Sequence, residues 1–241
     1  MHKQIINFEI GNKCKWVVYD LTERKIVYTQ IENGNEGFEC IRYSPDGSML
    51  ACGSRDNSIY VYSVNENGQK YSRIGRCTGH SSFVTHLDWS NDSQFLMSNS
   101  GDYEILFWQA ESCKQVTQVQ KIREMEFSTD TCTLSFNTLG IWNSTPVQDD
   151  EDNSSLKFTN QTYDGTDINA SNSSRSKGLI ATVDDFGQVN LFKYPCNAVK
   201  SEKRVYMGHS SHVTNVAFVN NDLRLISIGG NDMAVFQWAI I

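Results

Sequence analysis

Two stretches of the chain repeat each other almost residue for residue, and that repeat restricts the fold more than any other feature. Residues 79–89 read Gly-His-Ser-Ser-Phe-Val-Thr-His-Leu-Asp-Trp, and residues 208–218 read Gly-His-Ser-Ser-His-Val-Thr-Asn-Val-Ala-Phe. Each is followed by a second strand-like run, an Asp at a turn, an alternating apolar strand and a Trp. These are 95–97, Asp102 and 105–108 in one copy, and 225–228, Asp232 and 235–238 in the other. The copies start 129 residues apart, at Gly79 and Gly208, about three periods of ~43 residues and inside the roughly 40–45 expected of a propeller blade with this Gly-His to Trp signature. The pattern predicts an all-β chain folded as a WD40-type β-propeller, an architecture that serves as a protein-binding platform.

Two further units match once the Gly-His degenerates. Residues 41–47, Ile-Arg-Tyr-Ser-Pro-Asp-Gly, read as a strand ending in a turn, with Pro for a fixed φ and Gly for a positive one. A second strand at 50–54 leads to Asp56 and the alternating 59–62. Further on, 179–183 leads to Asp185 and 189–192. Asp56, Asp102 and Asp232 each precede the closing aromatic (Tyr62, Trp108, Trp238) by six residues, and Asp185 precedes Phe192 by seven.

These residue types have a structural logic. The fold is expected to bring His80, Ser98, Asp102 and Trp108 together as one hydrogen-bonded chain, and His209, Ser227, Asp232 and Trp238 as another, with Asp56 and Asp185 at the matching turns. Buried polar groups need partners, and a satisfied network holds a blade in one geometry. Histidine, aspartate and serine are also the types of a catalytic triad. A set that recurs in a second blade is the mark of a structural part, so these residues are read as fasteners.

Unit boundaries follow from the repeats: a partial blade over 1–36, WD blades over 37–78 and 79–118, an irregular blade over 119–142, a polar acidic insertion over 143–163, and WD blades over 164–207 and 208–241. The irregular blade rests on strand-like runs at 124–127 and 131–136. That makes about five blades and a fraction, where closed propellers use roughly four to eight. A start in mid-blade predicts an incomplete ring with unpaired strand edges.

Composition removes most other function classes. With 39% hydrophobic residues in 241 the chain can bury a core, yet no apolar run approaches ~18 residues, so no membrane span is expected. The first residues lack a signal-peptide core. Seven scattered cysteines form no Cys-x-x-Cys pair, which reads as reduced packing residues in a cytoplasmic protein, with neither disulfides nor a metal. The net charge is −7, partly from 149–152 (Asp-Asp-Glu-Asp), a run without the spacing or the Gly of a Ca²⁺ loop. An acidic chain without a Lys/Arg stripe argues against nucleic acid. Residues 185–187 spell a kinase metal-binding tripeptide without the accompanying kinase motifs, and no phosphate loop, Gly-x-Ser-x-Gly or His-Glu-x-x-His occurs. No enzyme activity, catalytic residue or cofactor is expected.

Longer strings carry a more specific likeness. Residues 42–47, 67–73, 75–82, 85–89, 98–106, 164–169, 184–186, 191–192 and 194–196, within a stretch from Lys15 to Ile241, closely resemble the C-terminal propeller of the echinoderm microtubule-associated protein-like family. In that family two propellers pack in tandem and the assembly binds tubulin and associates with microtubules and the spindle. The resemblance therefore implies a non-enzymatic cytoskeletal protein of the cytoplasm that has tubulin or microtubules as its partner. The family's coiled coil, basic region, hydrophobic motif and first propeller have no counterpart in these 241 residues. A segment of charge −7 is expected to be repelled by an acidic microtubule surface. The alternative is a general WD40 scaffold or substrate adaptor that binds other proteins without a tubulin role.

Overall fold

In the computed structural model, which describes residues 3–10, 13–32, 36–123, 125–142, 145–146, 167–198 and 201–241, almost all regular structure is β-strand. The chain divides into two compact units, 1–132 and 133–241.

The first unit holds three antiparallel sheets. β1 (Lys3–Ile10), β2 (Lys13–Asp20) and β3 (Lys25–Glu32) form a three-stranded meander. β4 (Phe38–Tyr43), β5 (Met49–Ser54), β6 (Ser58–Asn65) and β7 (Lys70–Thr78) form a four-stranded one. A second four-stranded sheet is built from β8 (Val84–Trp89), β9 (Phe95–Ser100), β10 (Ile105–Gln109) and β11 (Lys114–Gln115), and α1 (Val119–Arg123) follows it. In the second unit a 3-10 turn at Leu139–Ile141 precedes two sheets. One contains β12 (Thr145–Pro146), β13 (Ile168–Ser173), β14 (Leu179–Asp184), β15 (Val189–Lys193) and β16 (Glu202–Tyr206), with β12 the only parallel member. The other is β17 (Val213–Val219), β18 (Arg224–Gly229) and β19 (Val235–Ala239).

The same local devices recur from sheet to sheet. β4, β8, β13 and β17 each bulge one residue after they begin, at Phe38/Cys40, Val84/His86, Ile168/Ala170 and Val213/Asn215, which bends and twists the strand at a fixed point. Three first hairpins are stapled by a buried serine. Ser44, Ser90 and Ser174 accept, on Oγ, the backbone N–H of Met49, Phe95 and Leu179 at 2.9, 2.9 and 3.0 Å. In the first of these turns Gly47 has φ 73, where a side chain would be strained.

Packing runs in one direction along each unit. Trp16 and Val18 of β2 pack on Leu50, Cys52, Tyr60 and Tyr62. The other face of that sheet, Ala51, Ile59 and Val61, meets Val84, Leu87, Leu96 and Trp108. In the second unit Ala181, Val183 and Val189 meet Val213, Val216 and Leu225. The onward face of the last sheet behaves differently: Ile228 and Val235, paired across β18 and β19, are 43% and 66% exposed. Among the described residues β19 has only β18 as a ladder neighbour. An apolar face beside a free edge is a surface that favours association.

Residues 119–142 were expected to form an irregular blade. Apart from α1 and one bridge between Ser90 and Phe127, its described part has no ladder. The reason is Asp88, fully buried, whose carboxylate accepts the backbone N–H of Thr131 at 2.9 Å and of Cys132 at 2.7 Å, together with the hydroxyls of Thr131 and Thr129. Backbone donors that a strand would offer to a neighbour are taken by a side chain, and Ile122 and Cys132 cover Met97 and Phe107 in place of a further sheet. The acidic run 149–152 lies outside the described residues.

Candidate functional site

The Gly-His loops enter β8 and β17 with their imidazoles turned inward. His80 is buried; its Nε2 lies 2.6 Å from Ser98 Oγ, and Trp108 Nε1–H donates to the same oxygen at 2.8 Å. His80 Nδ1 lies 3.1 Å from Glu104 Oε2. Burial pushes the His80 pKa down, so the neutral ring donates from Nδ1 to Glu104 and accepts the Ser98 hydroxyl at Nε2. The second loop repeats the arrangement: His209 Nε2 to Ser227 Oγ at 2.8 Å, Trp238 Nε1 to Ser227 at 2.9 Å, and His209 Nδ1 to Asp232 Oδ2 at 3.0 Å. Backbone N–H groups, that of Ala234 foremost and that of Ser210, hold the Asp232 carboxyl below its usual range.

Three expected acids are placed differently. Asp102 is exposed at the turn tip, and Glu104 does its work. Ser98 and Trp108 are ten residues apart, whereas Ser227 and Trp238 are eleven apart. The shorter turn has no residue at the place of Asp232, and the longer Glu side chain reaches the ring from the position just before β10. Asp56 has no histidine to meet; its Oδ2 accepts from the Tyr60 hydroxyl and from Arg76 at 3.2 Å. Asp185 is exposed and takes Asn169 Nδ2 at 2.8 Å. Its neighbour Asp184 is the buried one, accepting the N–H of Phe186 and Gln188 and the Asn190 amide, each at 3.0 Å. The glycine that follows, Gly187, has φ 75, and a Cβ there would lie 2.8 Å from the His209 carbonyl oxygen. It lets the turn rest on the next Gly-His loop.

Glu104 makes the first network pH-sensitive. The backbone N–H and hydroxyl of Ser81, then His80, lower its pKa from 4.5 to about 2. Between those values the unfolded chain binds the proton and the folded one does not, so stability is fully present above pH 4.5 and falls as the pH drops towards 2. Denaturant midpoints measured across this window should decline in the native protein and decline less in Glu104→Gln.

The His–Ser–acid geometry is that of a nucleophile relay, but Ser98 and Ser227 are both fully buried. Their oxygens are already occupied by histidine and tryptophan, which leaves no approach for a substrate. Among the described residues no group of three or more His, Cys, Asp or Glu side chains is placed to hold a metal ion, and no helix is long and apolar enough to cross a membrane.

Antiparallel sheets with repeated first-strand bulges, stapled hairpins and a buried His–Ser–Trp network define a WD40-type β-propeller protein. The fold agrees with that of a solved C-terminal WD40 domain of Sif2 (TM-score 0.59, 11% identity, covering 95% of this chain and 63% of that one). The family profile described as the echinoderm microtubule-associated protein second beta-propeller matches residues 5–240, and the chain belongs to that family. It is 50% identical over 227 residues to echinoderm microtubule-associated protein-like 1 of Rattus norvegicus, covering 94% of this chain and 26% of the relative. It is 48% identical over 231 residues to the human protein-like 3, covering 95% and 24%, and 47% identical over 228 residues to the Xenopus laevis protein-like 4, covering 94% and 23%. The chain thus spans about a quarter of the length of the curated relatives it matches.

Proposed function

We propose that this chain is the non-enzymatic, tubulin-binding second propeller of a cytoplasmic, cytoskeletal protein, and that its two histidine networks are fasteners that hold the blades in register. The family match over residues 5–240 carries the reading, and the names of the relatives describe microtubule-associated proteins. Partners would be met by the exposed turns. Phe83 and Tyr103 in the first unit and Phe186 and Met233 in the second are 43%, 55%, 61% and 88% exposed.

Charge sets the limit on what the segment does alone. At −7 it gains nothing from an acidic filament, and lower salt, which lengthens the Debye screening distance, strengthens the repulsion. Two measurements at two salt concentrations test this: co-sedimentation with assembled microtubules and a mobility shift with tubulin dimers. A protein carrying both propellers should bind tubulin, while this segment should bind dimers weakly and pellet little at either salt. Strong pelleting by the segment that rises as salt is lowered would refute the charge argument. Absence of tubulin binding by the two-propeller protein would leave the scaffold reading in its place.

A further inference from the structure

Two thiols on neighbouring sheets of the first unit meet inside one core cluster. Cys77, near the end of β7, is 1% exposed, and Cys113, half-buried in the turn between β10 and β11, packs against the same cluster. The approach is close enough to require a glycine. A Cβ on Gly75, which lies on the same side of β7 as Cys77, would stand 2.7 Å from Cys113 Sγ, so the sulfur occupies the room a side chain would need. The Cys113 backbone is held at φ 54, its S–H donates to the Ala110 carbonyl at 3.6 Å, and its sulfur packs against the cluster that holds Cys77.

The pair is chemically asymmetric. The neighbouring Cys77 thiol, aided by the charge of Arg73, holds the Cys113 pKa below the ordinary thiol value. Cys113 and burial together push Cys77 up. A partly exposed thiol, Cys113, beside a buried one, Cys77, is the arrangement of an attacking and a resolving cysteine. Cys132, fully buried, is pushed well above the ordinary value by desolvation and is no attacking thiol.

We infer that Cys77 and Cys113 are a hydroperoxide-oxidisable dithiol whose disulfide ties β7 of one sheet to the β10–β11 turn of the next. Cys113 thiolate attacks the peroxide oxygen, the O–O bond breaks, and hydroxide leaves to give the sulfenic acid. Cys77, losing its proton, then attacks the Cys113 sulfur and expels the sulfenic oxygen as water. One hydrogen peroxide is reduced to two waters as two thiols become one disulfide.

The test is titration of the whole chain with hydrogen peroxide, followed by blocking of free thiols and peptide mapping without reductant. The expected result is a Cys77–Cys113 cross-linked peptide that dithiothreitol reverses, formed at least about tenfold faster than Cys132 is lost. Cys113→Ser should abolish the cross-link and leave Cys77 a thiol. Cys77→Ser should leave Cys113 as a sulfenic acid trapped by dimedone. Because Cys77 is in the core and its variant can fail to fold, the native protein and Cys113→Ser suffice for the decision. Loss of Cys113 without loss of Cys77 in the native chain, cross-links between other cysteines, or unchanged oxidation of Cys77 in Cys113→Ser would each overturn the assignment.

Discussion

Replacement of Trp108 by alanine is expected to cost about 3–5 kcal/mol, the range for emptying a large aromatic site in a close-packed core. Trp108 is 1% exposed; it packs with Leu87, Trp89, Leu96 and the onward face of the preceding sheet, and its Nε1–H caps Ser98. Trp108→Phe separates the two contributions, since it keeps most of the volume and removes the donor, with an expected loss of about 0.5–1.5 kcal/mol. Trp238 holds the same place in the last sheet and makes the same bond to Ser227, yet it is only partly buried, so Trp238→Ala should cost clearly less. Equilibrium denaturation of the three variants checks the order. Equal losses for Trp108→Ala and Trp238→Ala would show that the hydrogen bond, not inter-sheet packing, carries the energy.

The contrast between these tryptophans also marks what the sequence could and could not reveal. Gly-His, Ser and Trp were readable because each copy of the blade needs the same buried network, and the network tolerates few substitutes. The acid was readable in one copy only. Counting back six residues from Trp108 lands on Asp102, as it lands on Asp232 from Trp238, but counting forward from the serine exposes the shorter turn, with Asp102 four residues on and Asp232 five. A one-residue change in a turn is invisible to a motif anchored at the wrong end. It turns an inward carboxylate outward and recruits Glu104. The staple serines at 44, 90 and 174 were in plain view, but a turn containing Pro45, Asp46 and Gly47 accounts for itself by backbone preference. Nothing local shows that the preceding hydroxyl is buried.

The lack of a ladder among the described residues of 119–142 has another cause. Residues 131–136 alternate as a strand would, and strand propensity is a weak guide because it reflects the neighbours a strand finds. Here the deciding group is Asp88, more than forty residues earlier in the chain. The acid appears in the sequence only as the penultimate residue of a strand ending in Trp89. Its counterpart in the second Gly-His copy is Ala217, which offers no acceptor, and that difference between two otherwise parallel stretches was the available signal.

Asp88→Ala should therefore release the 128–132 segment. Its carboxylate is pushed towards the neutral form by burial and drawn back by the bonds from Thr129, Cys132 and Thr131, so it survives in the core only as long as those donors surround it. Removing it leaves the N–H groups of Thr131 and Cys132 buried without an acceptor, at about 1–3 kcal/mol each, for an expected total of about 2–6 kcal/mol. Asp88→Asn keeps one carbonyl oxygen and should lose less, since it can still accept one of the two. Amide hydrogen exchange localises the effect. Protection at Thr131 and Cys132 should fall in Asp88→Ala before protection in β5 and β6 does, because those strands are covered by Val84, Leu87 and Trp108. Loss of protection everywhere at once would mean that the carboxylate closes the whole first unit, and unchanged protection at both amides would show that the segment is held by the cover of Ile122 and Cys132 over Met97 and Phe107 instead.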